Sequence, residues 1–258
     1  MKKIRSKDGT PIAYQRSGEG PPLVLVHGAL ASHQRWISIL PELEKQFTVY
    51  AIDRRGRGES GDASTYAIER EFEDVAAVVD SIGDGVNVLG HSYGALCVLE
   101  AALLTPNFRR LVAYEPPPAP VPDGLMERIQ DLLDAGNRES AIITFVRDLV
   151  KMPPHEIEQW RASPIFPTRL ATVHTIPREF RAAEVYQFEP ERFKHLNVPT
   201  MILLGGASPP FARKNVECWH NTLPDSRIVV LPGQQHIAMD TAPDLFVREV
   251  QTFLAEAG

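Results

Sequence analysis

Apolar residues are distributed along the chain in two alternating patterns. Short continuous runs occur at "PIAYQ" (11–15), "PLVLVH" (22–27), "FTVYAID" (47–53), "GVNVLG" (85–90), "RLVAYE" (110–115), "TMILLG" (200–205) and "RIVVLPG" (227–233). Several are unbroken Val, Leu and Ile, as expected of parallel strands covered on both faces. Helical spacing falls between them. "IEREFEDVAAVVDSI" (68–82) begins with acidic residues and repeats apolar ones every three or four positions. "ALCVLEAALL" (95–104) is small and apolar nearly all round, which predicts a buried helix, and "DLFVREVQTFLAEAG" (244–258) follows Pro243. Strand–helix alternation predicts a parallel α/β sheet. The short polar gap between the first two runs predicts an antiparallel edge there.

The alternation stops between about 117 and 195. A proline cluster, "PPPAPVPDG", leads into "LMERIQDLLDAG", "ESAIITFVRDLVK" and "HEIEQWRAS", each with one apolar face. This predicts a core made of 1–116 and 196–258 and a helical cap over 117–195. Ile129, Leu132, Leu133, Phe145, Leu149, Trp160 and Phe166 are available to line a pocket, although packing within the cap accounts for most such residues.

Composition narrows the function classes. The chain has 258 residues, 43% apolar, with a net charge of −6. That charge argues against nucleic acid or an anionic membrane as the main partner, since both require a dense basic patch. No apolar run approaches the ~18 residues needed to span a bilayer, and the basic opening "MKKIRSKDGTPIAY" has no apolar stretch of the signal-peptide kind. Cys97 and Cys218 lie in separate predicted helices and read as free thiols in a reducing compartment, the cytoplasm.

The chemistry is concentrated in "NVLGHSYGALCVLEAA" (87–102), where Gly90-His91-Ser92-Tyr93-Gly94 joins an apolar strand to a helix. A serine on such a turn is held in a strained conformation that needs small residues two positions away on either side. It also sits at a helix N-terminus, where negative charge is stabilised.

With this motif the sequence resembles the α/β-hydrolase superfamily along nearly its whole length. "LVLVHGAL" (23–30), "YAIDRRGRGES" (50–60), "GHSYGA" (90–95) and "LPGQQHIAMDTAPDLF" (231–246) are similar to the family's loops in the family's order. The resemblance implies an eight-stranded, mostly parallel sheet flanked by helices, with a helical cap after strand six. It also implies a serine hydrolase, carboxylesterase- or lactonase-like, that needs neither metal nor organic cofactor. Ser92 would be the nucleophile. Of the eight histidines, His236 lies in the loop after the final strand and would be the base. His91, beside the nucleophile, is expected to point away, and His27 to shape the oxyanion loop. The backbone N–H groups of Ala29 and Tyr93 would form the oxyanion hole.

One departure from the family pattern stands out. The strand ending at Leu204-Gly205 is usually followed by an acid, but here the loop reads Gly205-Gly206-Ala207-Ser208-Pro209-Pro210. Asp225 precedes the last strand, at the wrong end of the sheet, and Asp240 is expected to face solvent or cap the last helix. Glu115, at the end of "RLVAYE", is the better candidate. It is similar to the acid of zearalenone-lactonase-type members, with Pro116 to Pro118 fixing the chain just after it.

Other readings compete. Gly56-Arg57-Gly58-Glu59-Ser60-Gly61 fits a dinucleotide fingerprint literally, but Asp53-Arg54-Arg55 separate it from the strand and no helix opens from it. His155-Glu156 begins a zinc motif whose fifth position is Gln159. The same three side chains also suit a carbon–carbon bond hydrolase, a thioesterase or a non-turnover ligand receptor. The partner expected is a small, hydrophobic substrate. Oligomeric state, monomer or homodimer, is left open.

Overall fold

The protein is described from a computed structural model covering residues 1–117 and 121–256, so Pro118 of the proline cluster lies outside the described residues. Eight strands form one sheet: β1 (Lys2–Arg5), β2 (Pro11–Ser17), β3 (Pro22–Val26), β4 (Thr48–Ile52), β5 (Val86–His91), β6 (Phe108–Tyr114), β7 (Thr200–Gly205) and β8 (Ser226–Leu231). Their spatial order is β1-β2-β4-β3-β5-β6-β7-β8. The pairs β1–β2 and β2–β4 are antiparallel, and all the others are parallel. An antiparallel edge is therefore present, but β2 pairs with β4 rather than with its sequence neighbour β3. The strand at 2–5 gives no apolar signal. It carries Lys2, Lys3 and Arg5, is largely exposed, and is held by its ladder to β2.

Alternation along the central strands sorts side chains onto two faces. Leu23 and Leu25 of β3, Val112 and Tyr114 of β6, and Met201 and Leu203 of β7 join one apolar cluster. Val24 and Val26, Leu111 and Ala113, and Ile202 and Leu204 join the other. Each fully buried side chain of this size contributes about 1.5–3 kcal/mol relative to exposure. The second face is covered by α2 (Ile68–Ile82), α3 (Tyr93–Ala101) and α9 (Pro210–Thr222). On α2, Ile68, Phe72, Val75 and Val79 recur at helical spacing and are buried. The first face is covered by α1 (Leu40–Leu43) and α11 (Pro243–Leu254), which follows the short α10 (Ala238–Thr241).

Between β6 and β7 lies a helical insertion: α4 (Leu125–Asp134), α5 (Arg138–Asp148), α6 (Pro154–Arg161), α7 (Phe166–Thr172) and α8 (Ile176–Val185). A buried ion cluster joins it to the core. Arg54 donates to Glu71 of α2 at 2.9 and 2.7 Å and to Glu179 of α8 at 3.0 Å. Arg57 also donates to Glu179, and its guanidinium bonds the Thr175 hydroxyl at 2.7 Å. Tyr66 bridges Glu71 and the Tyr93 hydroxyl at 2.9 and 3.0 Å. Glu179 is fully buried, and among the described residues it is the one carboxylate paired with Arg57. Glu179→Ala leaves a buried guanidinium uncompensated, a loss of about 3–5 kcal/mol that lowers the melting temperature by about 10 °C. Differential scanning calorimetry checks this, and a shift below about 2 °C would mean the cluster contributes little to stability.

Candidate active site

The turn between β5 and α3 holds Ser92 at φ 54° and ψ −123°, a conformation that costs a non-glycine residue roughly 1–3 kcal/mol. Close packing explains the flanking glycines. A Cβ on Gly90 would lie 2.5 Å from the Gly94 carbonyl oxygen, and one on Gly94 would lie 2.4 Å from that of Val26. The Ser92 hydroxyl has no hydrogen-bond partner among the described residues and lines a cavity of about 360 Å³. The N–H groups of Ala29 and Tyr93 are likewise without partners among the described residues, and both residues line the same cavity. Their loop is tied down by His27, whose Nδ1 donates to the Gly28 carbonyl at 2.8 Å while its Nε2 accepts from Arg54 N–H at 3.1 Å. Burial, then the charges of Arg54 and Arg57, keep this imidazole neutral.

Glu115 lies just beyond β6 with φ 46°, again in the left-handed region. Its carboxylate accepts from His236 Nδ1 at 2.6 Å. The loop that lacks an acid supplies the other donors: Gly205 N–H at 2.9 Å and the Ser208 hydroxyl at 2.5 Å, both to Oε1. Burial alone would raise the carboxyl pKa. The hydrogen bond and charge of His236, the Ser208 hydroxyl and the Gly205 N–H outweigh it and hold the group below the usual range. With its folded pKa depressed, Glu115 adds stability above the unfolded carboxyl pKa, and this is lost as pH falls through the lower folded value. Ser92, His236 and Glu115 thus all line one cavity.

Two expectations are corrected. His91 does not turn away from the site. Its ring centroid is 4.7 Å from that of His236, and its Nε2 donates to the His236 carbonyl at 2.9 Å, because the final loop folds back over the end of β5. Burial and then the charge of His236 keep His91 neutral. Asp240 does not cap α11, and its side chain, 27% exposed, is held by an ion pair rather than left to solvent. Both its oxygens accept from Arg35 Nη1, at 2.9 and 2.7 Å, since a guanidinium as buried as Arg35 needs a counter-charge. Tyr114 had no distinguishing sequence signal. Its hydroxyl donates to the Gln235 carbonyl and accepts from Ala238 N–H, clamping the loop that carries His236. The insertion's apolar residues Ile129, Leu132, Leu133, Phe145, Leu149, Trp160 and Phe166 all pack into the first apolar cluster, and of these Phe145, Leu149 and Trp160 also line the cavity. The glycine-rich stretch at 56–61 forms a loop around Asp53, which accepts from the N–H groups of His33 and Glu59, and α2 opens only at Ile68.

The sheet, the helices on both its faces and the strand–serine–helix turn define an α/β hydrolase. The model of the alpha/beta hydrolase family matches residues 23–249, and the chain belongs to that family. A solved alpha/beta hydrolase from Sphaerobacter thermophilus DSM 20745 is 37% identical, with a TM-score of 0.86 over 98% of this chain and 100% of that one. An esterase, RhEst1, from Rhodococcus sp. ECU1013 is 26% identical, with a TM-score of 0.79 over 100% of this chain and 99% of that one. Among curated proteins, a soluble epoxide hydrolase from Corynebacterium sp. (strain C12) is 40% identical over 89 residues, which span 34% of this chain and 31% of that protein. Among the described residues no helix is long and apolar enough to cross a membrane.

Proposed function

We propose that the protein hydrolyses an ester or lactone of a small, largely apolar substrate through an acyl-enzyme. The observation that carries this reading is the 2.6 Å contact between His236 Nδ1 and Glu115, in a cavity shared with the unpartnered Ser92 hydroxyl. A proton held at Nδ1 by the carboxylate leaves Nε2 free to accept one. Ser92 Oγ attacks the carbonyl carbon as His236 Nε2 takes the hydroxyl proton. The Ala29 and Tyr93 N–H groups bind the oxyanion of the tetrahedral intermediate. Its collapse breaks the carbon–oxygen bond, and the imidazolium returns the proton to the leaving alkoxide. Water then attacks the acyl carbon, His236 takes its proton, and Ser92 is released with a carboxylic acid product. The helical insertion would act as the cap that closes the cavity over the substrate. A serine at position 92 cannot form the alkyl-carboxylate ester on which epoxide opening by this fold depends, so the similarity to an epoxide hydrolase is read as shared scaffold. The esterase among the solved relatives supports the ester reading.

The test is a panel of p-nitrophenyl esters and lactones, with a fluorophosphonate label mapped by mass spectrometry. Steady turnover and a label on the Ser92 peptide are expected. A label elsewhere overturns the nucleophile assignment. One slow turnover followed by a persistent adduct favours a ligand receptor over an enzyme.

A further inference from the structure

The cavity contains a cation with no counter-ion. Arg169 of α7 is only 5% exposed, yet its guanidinium makes no hydrogen bond or ion pair among the described residues. Its one close neighbour of note is the Trp160 ring, 3.9 Å from Cζ, and ring stacking leaves all five N–H donors unused. Nε is sealed from solvent without a partner, as are Trp160 Nε1 and Arg35 Nη2. Arg35, Trp160 and Arg169 all line the cavity that holds Ser92. Three buried donors lining the cavity therefore have no acceptor among the described residues. Asp240 already neutralises Arg35, whereas Arg169 has no paired carboxylate among the described residues. Burial, and then the charge of Arg35, bear against the Arg169 cation, with Asp240 offsetting only part. Glu156 and Glu184 also line the cavity, but neither pairs with Arg169. Buried charges in folded proteins are otherwise paired, so the missing acceptor belongs to what binds there.

We propose that Arg169, braced on Trp160, is a specificity residue that binds a carboxylate on the substrate, so that the preferred ester or lactone is a monoanion. This rests on the hydrolase reading above and narrows its substrate class. The planar fork of the guanidinium suits the two oxygens of a carboxylate, and one free positive charge matches one negative charge. The remaining wall, with Phe145, Leu149 and Met152, suits an apolar chain between the anion and the scissile bond.

The test compares mono-p-nitrophenyl glutarate with p-nitrophenyl butyrate on wild type, Arg169→Met and Arg169→Lys. Wild type is expected to favour the anionic ester in kcat/KM. Arg169→Met is expected to lower the anionic-to-neutral ratio by about 10- to 100-fold, mainly through KM, with partial recovery in Arg169→Lys. Arg169→Met is also expected to raise the melting temperature, because an unpaired buried charge is replaced by an apolar chain of similar length. Calorimetric titration of Ser92→Ala with monomethyl glutarate and dimethyl glutarate gives a readout without turnover. At least tenfold tighter binding of the anion is expected, with the difference lost on adding Arg169→Met. A ratio unchanged by Arg169→Met, or equal affinity for the two glutarates, overturns the anion site while leaving the hydrolase reading intact. Ester turnover that survives Ser92→Ala overturns the Ser92 acyl-enzyme reading instead.

Discussion

Ser92→Ala is expected to lose kcat by about a millionfold on any p-nitrophenyl ester the wild type turns over, with no loss of stability. The magnitude follows from the role. Without Oγ no acyl-enzyme forms, and His236 and the oxyanion donors retain only the residual acceleration left when a nucleophile is removed. Intact stability follows from the geometry. The hydroxyl has no hydrogen-bond partner among the described residues, so its removal leaves no buried group unsatisfied. Alanine keeps the same Cβ in the same strained turn. Stopped-flow and steady-state assays, paired with thermal melts, measure both quantities. A variant that is inactive because it is unfolded, or one that keeps a tenth of wild-type turnover, contradicts the argument.

Glu115→Gln is expected to lower kcat by about 10⁴-fold while the protein remains folded. The amide still offers an oxygen to Gly205 N–H and the Ser208 hydroxyl. Toward His236 it turns an NH2 group, so Nδ1 becomes the acceptor and Nε2 carries the proton. The imidazole then faces Ser92 in the wrong tautomer. The same substitution removes a carboxylate whose pKa is depressed in the folded state. Wild type should lose stability as pH falls from the ordinary carboxyl value of about 4.3 toward the lower folded one, and Glu115→Gln should lose less over that range. Turnover within tenfold of wild type would mean that another acid orients His236. Parallel acid melts in the two proteins would mean that Glu115 is not a stabilising anion.

Much of this was legible in the chain. β3, β5 and β7 announce themselves as unbroken apolar runs because both faces are covered, and α2 follows its acidic start and apolar spacing. Ser92 and His236 stand at fixed offsets from strand ends, so local pattern locates them. The unusual place for Glu115 could be inferred from the missing carboxylate at 205–210. Its supports could not: that Gly205 and Ser208 donate to it depends on β6 lying beside β7. The misses share that cause. Asp240 meets Arg35 across 205 residues and His91 meets His236 across 145, and no local spacing encodes such a meeting. β1 went unseen because edge pairing can order a polar segment that buries almost nothing. Arg169 looks like any helix-surface arginine until the fold turns it inward.

The ion cluster under α8 has a mechanical meaning. Pulling Glu179 away would strand Arg57 without a carboxylate partner among the described residues and leave Arg54 with Glu71 alone, so this side of the insertion behaves as a clamped margin. Tyr93, next to Ser92, stacks its ring 4.5 Å from the Arg54 guanidinium and shares the Tyr66 hydroxyl with the same assembly. A shift of α8 would therefore be felt at the turn that presents Ser92, since both hang on one buried set of ionic and ring contacts.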